Sequence, residues 1–582
     1  MKTSKAKLVL LCVFLCVTLQ QPAAAQKPPA GLIKNLSVID KHFSGDRALA
    51  TVALLQNYWR HAGNRDFNLG MAAIAAALRA GGYSESDSRF KLLVRDTLLA
   101  HGRAWQPDFA ELRLLAPNDT VLHSLAQAKM MLCPNSHATP PQGMRAELVD
   151  LDSLEVAPGS LRGKVAYTRR PPHEVFGEAA LTGEAAGLIS SYLPDFNRPV
   201  EHPASISMDA IPYVDSLVVF AFKISYASGV LLDSLLRHGP VLVQAKVQAQ
   251  FSAKVVREVT AEITGSQKPE EMIAVIAHLD EPGANDNASG CATLLEMALA
   301  LRQALAAGEL PAPARTLTLK WVEEIATVLR WQRSEPAAFA QVIAALVLDM
   351  AGEDITQTGG SFLVERAPDP AAIWTRPPDQ HTEWGSSEVE AADLQGTYLN
   401  DLFIAACEGR GRLARNGWQV HSNPFEGGSD HVPFLQHGVP AVLAWHFTDV
   451  FYRTSGDDID KVSPQEMANV GVSAAATALF LAQGTEADAI AVVRLLLNRA
   501  VQRLENETRN SLAALGKPGA DPAEEEKILR AWQRWYEEAF VSVRKLALAP
   551  ASAGLTAKIA QAQRQLQRLT ESKVNAIRRG RK

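Results

Sequence analysis

Apolar residues recur at two different spacings along the chain, and the change of spacing divides it. Near the N-terminus they fall at helical intervals over 47–63 and 67–82, with Gly63 and then Gly81 and Gly82 as stops, which predicts two helices. Residues 88–155 carry short apolar runs broken by Pro117, Pro134, Pro140 and Pro141, the pattern of mixed strands and loops. Over 156–240 a strand at 161–170, a helix and strand at 175–192, a strand at 216–225 and a helix at 227–239 make a small β-α-β unit. From 241 the strands lengthen: 241–251 and 256–266 read as consecutive strands joined by a turn. Apolar strands at 272–280, 316–324, 340–350 and 438–446 each run into polar or charged residues, and an amphipathic helix lies at 292–305. Buried strands alternating with helices predict an α/β fold, a mostly parallel mixed sheet covered by helices. After about residue 485 the pattern is all helix, over 489–515, 522–548 and 556–579.

These changes set the expected organisation. Residues 1–25 read as a signal peptide and 26–45 as an extended leader. Residues 46–155 form the N-terminal part of the main domain, 156–240 a small α/β insert, 241–484 the body of the main domain, and 485–582 a helical C-terminal extension. The signal reading rests on Lys2, Lys5 and Lys7, the apolar run 8–19, and Ala23-Ala24-Ala25 before Gln26. It places the mature protein in the periplasm or outside the cell. No later stretch is long and apolar enough for a membrane helix.

Composition narrows the functional classes. Hydrophobic residues at 47% and charged residues at 21% match a globular protein and exclude wholesale disorder. A formal charge of −5 argues against nucleic acid as a partner. The basic end from Lys558 to Lys582 reads as a solvated helix face. Once the signal is removed, Cys133, Cys291 and Cys407 remain, which do not make a disulfide framework, and Cys291 reads as a small buried residue. Trp532, Trp535 and Tyr536 lie at helical spacing, a pattern of core packing or of a protein-partner stripe.

The chemistry sits at the strand ends, where ligands bind in open α/β sheets. His278, Asp280 and Asp286 follow one strand, Glu323 and Glu324 a second, Asp349 a third, and Ser429-Asp430-His431 precedes a fourth. Carboxylates mixed with imidazole suit a divalent cation, and adjacent glutamates can divide metal binding from proton transfer.

The run AHLDEPGANDNASGCATLLEMAL resembles the signature of metallopeptidase family 28, the zinc aminopeptidase type. LDMAG (348–352), SDHVPF (429–434) and FYRTSGDDIDKV (451–462) follow in the family's order. The resemblance covers about residues 270–470, and the 156–240 unit is similar to the protease-associated insert of many members. It implies a zinc-exopeptidase fold, a peptide substrate and zinc. His278 and Asp349 would hold one zinc, Asp286 would bridge to a second through a frequently cis peptide to Asn287, and Glu324 would bind that second ion. Glu323 would be the general base and Asp280 would orient the His278 ring.

Arg453 stands where the family carries a histidine ligand. A guanidinium offers no lone pair. The second zinc is then weak, absent or rescued, with His446 as the candidate rescuer. Alternatively Arg453 replaces the second ion electrostatically and acts in catalysis, or the site is degenerate. The sequence therefore supports an exported zinc exopeptidase, with a peptide- or partner-binding protein of the same fold as the alternative.

Overall fold

The computed structural model describes residues 28–579, so the signal peptide expected at 1–25 lies outside the described residues. Among these, thirteen strands join one sheet. At its centre the strand Lys268–His278 lies parallel to Val342–Leu348 on one side and Arg315–Val322 on the other. Ala441–Phe447 extends the parallel set beyond Val342–Leu348. Alternate residues of the central strand enter different cores. Ile273, Val275 and Ala277 join the helices Ala288–Ala306 and Pro464–Gln483, while Ala274 and Ile276 pack with Trp331, Phe339 and Phe434. Burial on both faces explains the uninterrupted apolar run in this strand. The pairing His278↔Val322 sets the end of the first two strands level, and Leu348 closes the third. The acidic and imidazole side chains that follow therefore emerge at one edge.

Two sequence expectations change. The strands expected at 241–251 and 256–266 are one strand, Val241–Ile263, paired along its length with Phe90–Ala116. The segment between the two expected strands holds no Gly, Pro, Asn or Asp to break it, and the partner strand absorbs the irregularity between Leu98 and Arg103. One end of this strand pairs with Arg315–Val322, and the other with Met144–Asp150. Through Met144–Asp150 the sheet continues into the insert's parallel strands Val165–Thr168, Gly187–Ser190 and Phe220–Lys223. The second change concerns 26–45. Residues Ala30–Ile39 form a helix with Leu32, Leu36 and Ile39 buried, because these apolar residues share one helical face.

The C-terminal helices Glu486–Leu515, Pro522–Ser542 and Ala553–Arg579 join the main core. Trp532, Trp535 and Tyr536 are buried there, and the Trp535 indole N–H donates to the Pro368 carbonyl at 3.0 Å. These aromatics are core and present no partner stripe. Arg376 bridges Glu507 and Glu525 at 2.7 Å each and pins the bundle to the main domain. No helix among the described residues is long and apolar enough to cross a membrane.

Candidate metal centre

The loop from Leu279 to Asn287 carries half of the site, and its shape follows from small residues and buried polar anchors. Asp457 accepts the backbone N–H groups of Asn285 at 2.7 Å and Asp286 at 3.0 Å. A Cβ on Gly283 would lie 2.0 Å from the Asp457 carboxylate, so only glycine allows this approach. Asn287 caps the helix Ala288–Ala306 by accepting the Gly290 N–H at 3.0 Å, and its amide donates to the Leu348 carbonyl at 3.0 Å. The Asp286-Asn287 peptide is cis. Arg60, fully buried, donates to the carbonyls of Leu55 at 2.6 Å, Leu279 at 3.0 Å and Gly283 at 2.6 Å.

His278, Glu324 and Asp349 converge, each offering a ligand atom within 4.8 Å of the others. Nε2 of His278 is 3.2 Å from Oδ1 of Asp349 and 3.8 Å from Glu324. Both Nε2 of His278 and Oδ1 of Asp349 are buried without a hydrogen-bond partner among the described residues. Two buried, unpartnered ligand atoms at this separation fit a divalent ion between them. Nδ1 of His278 faces the Asp280 carbonyl at 3.2 Å. A carbonyl only accepts, so Nδ1 carries a proton and Nε2 is the nitrogen left to face an ion. Ser429 donates to Oδ2 of Asp349 at 2.9 Å, which turns Oδ1 toward His278.

The other sequence candidates sit differently. Asp286 is not in the three-ligand group, though it lines one cavity of about 80 Å³ with Glu324, Asp349 and Arg453. The Asp280 carboxylate is 3.9 Å from His278 and instead accepts the Glu324 N–H at 2.9 Å, so its backbone carbonyl orients the ring. Glu323 turns away from the ligand group: Lys254 binds one oxygen and Arg330 the other, each at 2.6 Å. Despite its burial these two cations hold its carboxyl below the usual range, so as placed it is a weak proton acceptor. His446 is also elsewhere, with Nδ1 2.7 Å from the Met350 carbonyl and Nε2 3.5 Å from Glu466, which removes it as a rescuer. Cys291 is buried, with its Sγ 3.0 Å from the His278 carbonyl. Burial pushes its thiol up to about 12.

Glu281, Asp457 and Arg60 escaped sequence reasoning. Arg453 is ion-paired with Glu281, both through Nη2 and through Nε at 3.2 Å. Nothing in the local sequence signals this role of Glu281, since Arg453 lies 172 positions away. The insert reaches this place too. The Asn197 amide donates to the carbonyls of Val450 at 3.0 Å and Tyr452 at 3.1 Å, and the Met208 N–H donates to the Arg453 carbonyl at 2.7 Å.

Crowded buried charges shift this centre in both directions: despite burial, His278 and Ser429 hold the Asp349 carboxyl below the usual range. Burial, and then the Glu281 charge, raise Asp286 well above the carboxylate range, and burial raises Glu324 likewise. Burial disfavours the His278 imidazolium, but Asp349 and Glu324 outweigh it and raise its pKa well above the usual value. A cation at the three-ligand group must displace the protons of His278 and Glu324, so zinc affinity should rise with pH, about tenfold per pH unit for each proton released. Calorimetric titration between pH 6 and 8, in buffers of different ionisation enthalpy, checks this. Affinity unchanged over that range would contradict it.

The structure is thus an α/β sheet that gathers, at one edge, a group of side chains able to hold a divalent ion. Residues 258–324 match the model of Peptidase family M28, which supports the family assignment read from the motifs. Among solved structures the chain is similar to BSAP, a zinc aminopeptidase from Bacillus subtilis, at 17% identity and TM-score 0.51, covering 75% of this chain and 94% of that one. It is also similar to a Peptidase M28 precursor from Shewanella amazonensis, at 19% identity and TM-score 0.54, covering 78% and 96%. At these identities the likeness is one of fold. No curated protein gives a significant match.

Proposed function

We propose that the protein is an exported zinc-dependent exopeptidase of the aminopeptidase type. One observation carries the reading: the buried, unpartnered Nε2 of His278 and Oδ1 of Asp349 face each other at 3.2 Å, with Glu324 beside them. His278, Asp349 and Glu324 would hold the zinc, which when bound supplies Lewis-acid polarisation of the scissile carbonyl and activation of water.

The chain's own residues supply the rest. Asp280 and Ser429 fix two of the ligands, and Asp430 accepts the Ile325 N–H at 2.7 Å, holding the chain just after Glu324. The cavity beside the ligands is small and walled by Trp384, Leu443, Trp445 and Tyr452, a shape that admits one apolar side chain at a chain end. The motif resemblance gives Glu323 the role of proton acceptor in this reading, and Lys254 and Arg330 hold its two oxygens. Export rests on the N-terminal sequence pattern.

The test is a panel of peptides with free and blocked amino termini, assayed with and without chelator. Hydrolysis confined to free amino termini and abolished by chelation is expected. Chelator-resistant hydrolysis would sink the proposal. The occupied carboxylate of Glu323 favours a second reading, a peptide-binding protein without turnover, and bound zinc with no cleavage of any peptide would select it.

A further inference from the structure

We infer that Arg453 fills the place of a second cation and confines the centre to one metal ion, an inference that rests on the metallopeptidase reading above. The acids at the strand ends fall into two halves. His278, Glu324 and Asp349 offer their ligand atoms to one point. Asp286 and Glu281 face the guanidinium instead, with Nε of Arg453 3.8 Å from Oδ2 of Asp286 and its Nε–Nη2 edge against both oxygens of Glu281.

The guanidinium is held there by two contacts, and its backbone by a third. Glu281 grips one edge. The Tyr452 ring lies 5.2 Å from its Cζ, within cation–π range. The Met208 N–H fixes the Arg453 carbonyl. Arg453 itself adopts φ +51°, a left-handed conformation that an L-residue keeps only when its surroundings impose it. The anionic partner is fixed as firmly: Glu281 sits at φ +89°, and its N–H donates to the Arg60 carbonyl at 3.0 Å.

A guanidinium does not lose its proton in a protein and has no lone pair, so it neither ligates nor yields to an ion. Its charge repels a second dication, and it already offsets the carboxylates that would attract one. No spare imidazole serves that half of the site, since His446 is turned to the Met350 carbonyl and Glu466. One dication and one guanidinium thus supply three positive charges where two dications would supply four, and the guanidinium takes up the second place.

Zinc stoichiometry after equilibrium dialysis of the full chain tests the inference. The unaltered protein should retain one equivalent and Arg453→His two, with folding of each checked by thermal melting. Should Arg453→His not fold, Arg453→Gln removes the charge without adding a ligand and should admit a second, weaker equivalent. Two equivalents in the unaltered protein would overturn the inference and leave the metallopeptidase reading standing. One equivalent in both the unaltered protein and the variant would show that Arg453 is not what excludes the second ion. No zinc in the unaltered protein would bring down both readings together.

Discussion

His278→Ala should strip the zinc and lower peptide hydrolysis at least about a thousand-fold, the ~4 kcal/mol that a Lewis-acidic ion contributes to the transition state. The imidazole is the one neutral donor in a group otherwise made of carboxylates, and its lone pair is aimed by the Asp280 carbonyl. Asp349 and Glu324 alone would leave two anionic ligands, too few to hold zinc through dialysis. The melting temperature of the variant in chelator should match that of the unaltered protein in chelator. That comparison separates lost metal from lost fold. Zinc retained at the unaltered level, measured by elemental analysis, would remove His278 from the ligand set.

Arg60→Met should destabilise the protein by about 4 kcal/mol, because it takes the donor from the buried Leu279 and Gly283 carbonyls, while the Leu55 carbonyl keeps the Tyr58 N–H at 3.1 Å. The side chain makes no contact with the ligand group, yet it ties the end of the helix Gly45–Leu55 to the loop that presents Asp286. Burial lowers its pKa only to about 10, so it remains charged at neutral pH and its hydrogen bonds are charge-assisted. Denaturant unfolding reads the change, and a loss under about 1 kcal/mol would mean that the carbonyls find other donors. Zinc affinity should fall as well, since the loop loses its inner anchor.

Much of this architecture is written in local sequence. The apolar strands ending at His278, Glu324 and Asp349 could be read directly, because burial on both faces leaves a run that only a terminal charge interrupts. The three C-terminal helices were equally plain, with GKPGAD breaking the first from the second. What remained hidden depends on partners far away along the chain. Lys254 reaches Glu323 across 69 positions, and Arg453 reaches Glu281 across 172. Spacing carries no information about such pairs, so the role expected for Glu323 met an arrangement that sequence does not disclose. The helix Ala30–Ile39 was missed for another reason: its three buried apolar residues make too short a stripe to stand out beside a signal segment.

The strand Val241–Ile263 has a consequence for engineering. Because it serves both halves of the sheet, the insert is no appendage on a hinge. Excising residues 144–240 would bare the main-chain groups of Val241–Ala245 along one edge of that strand, an open template for neighbouring molecules. A truncated protein would then report its loss as precipitation, whatever became of its preference for peptides.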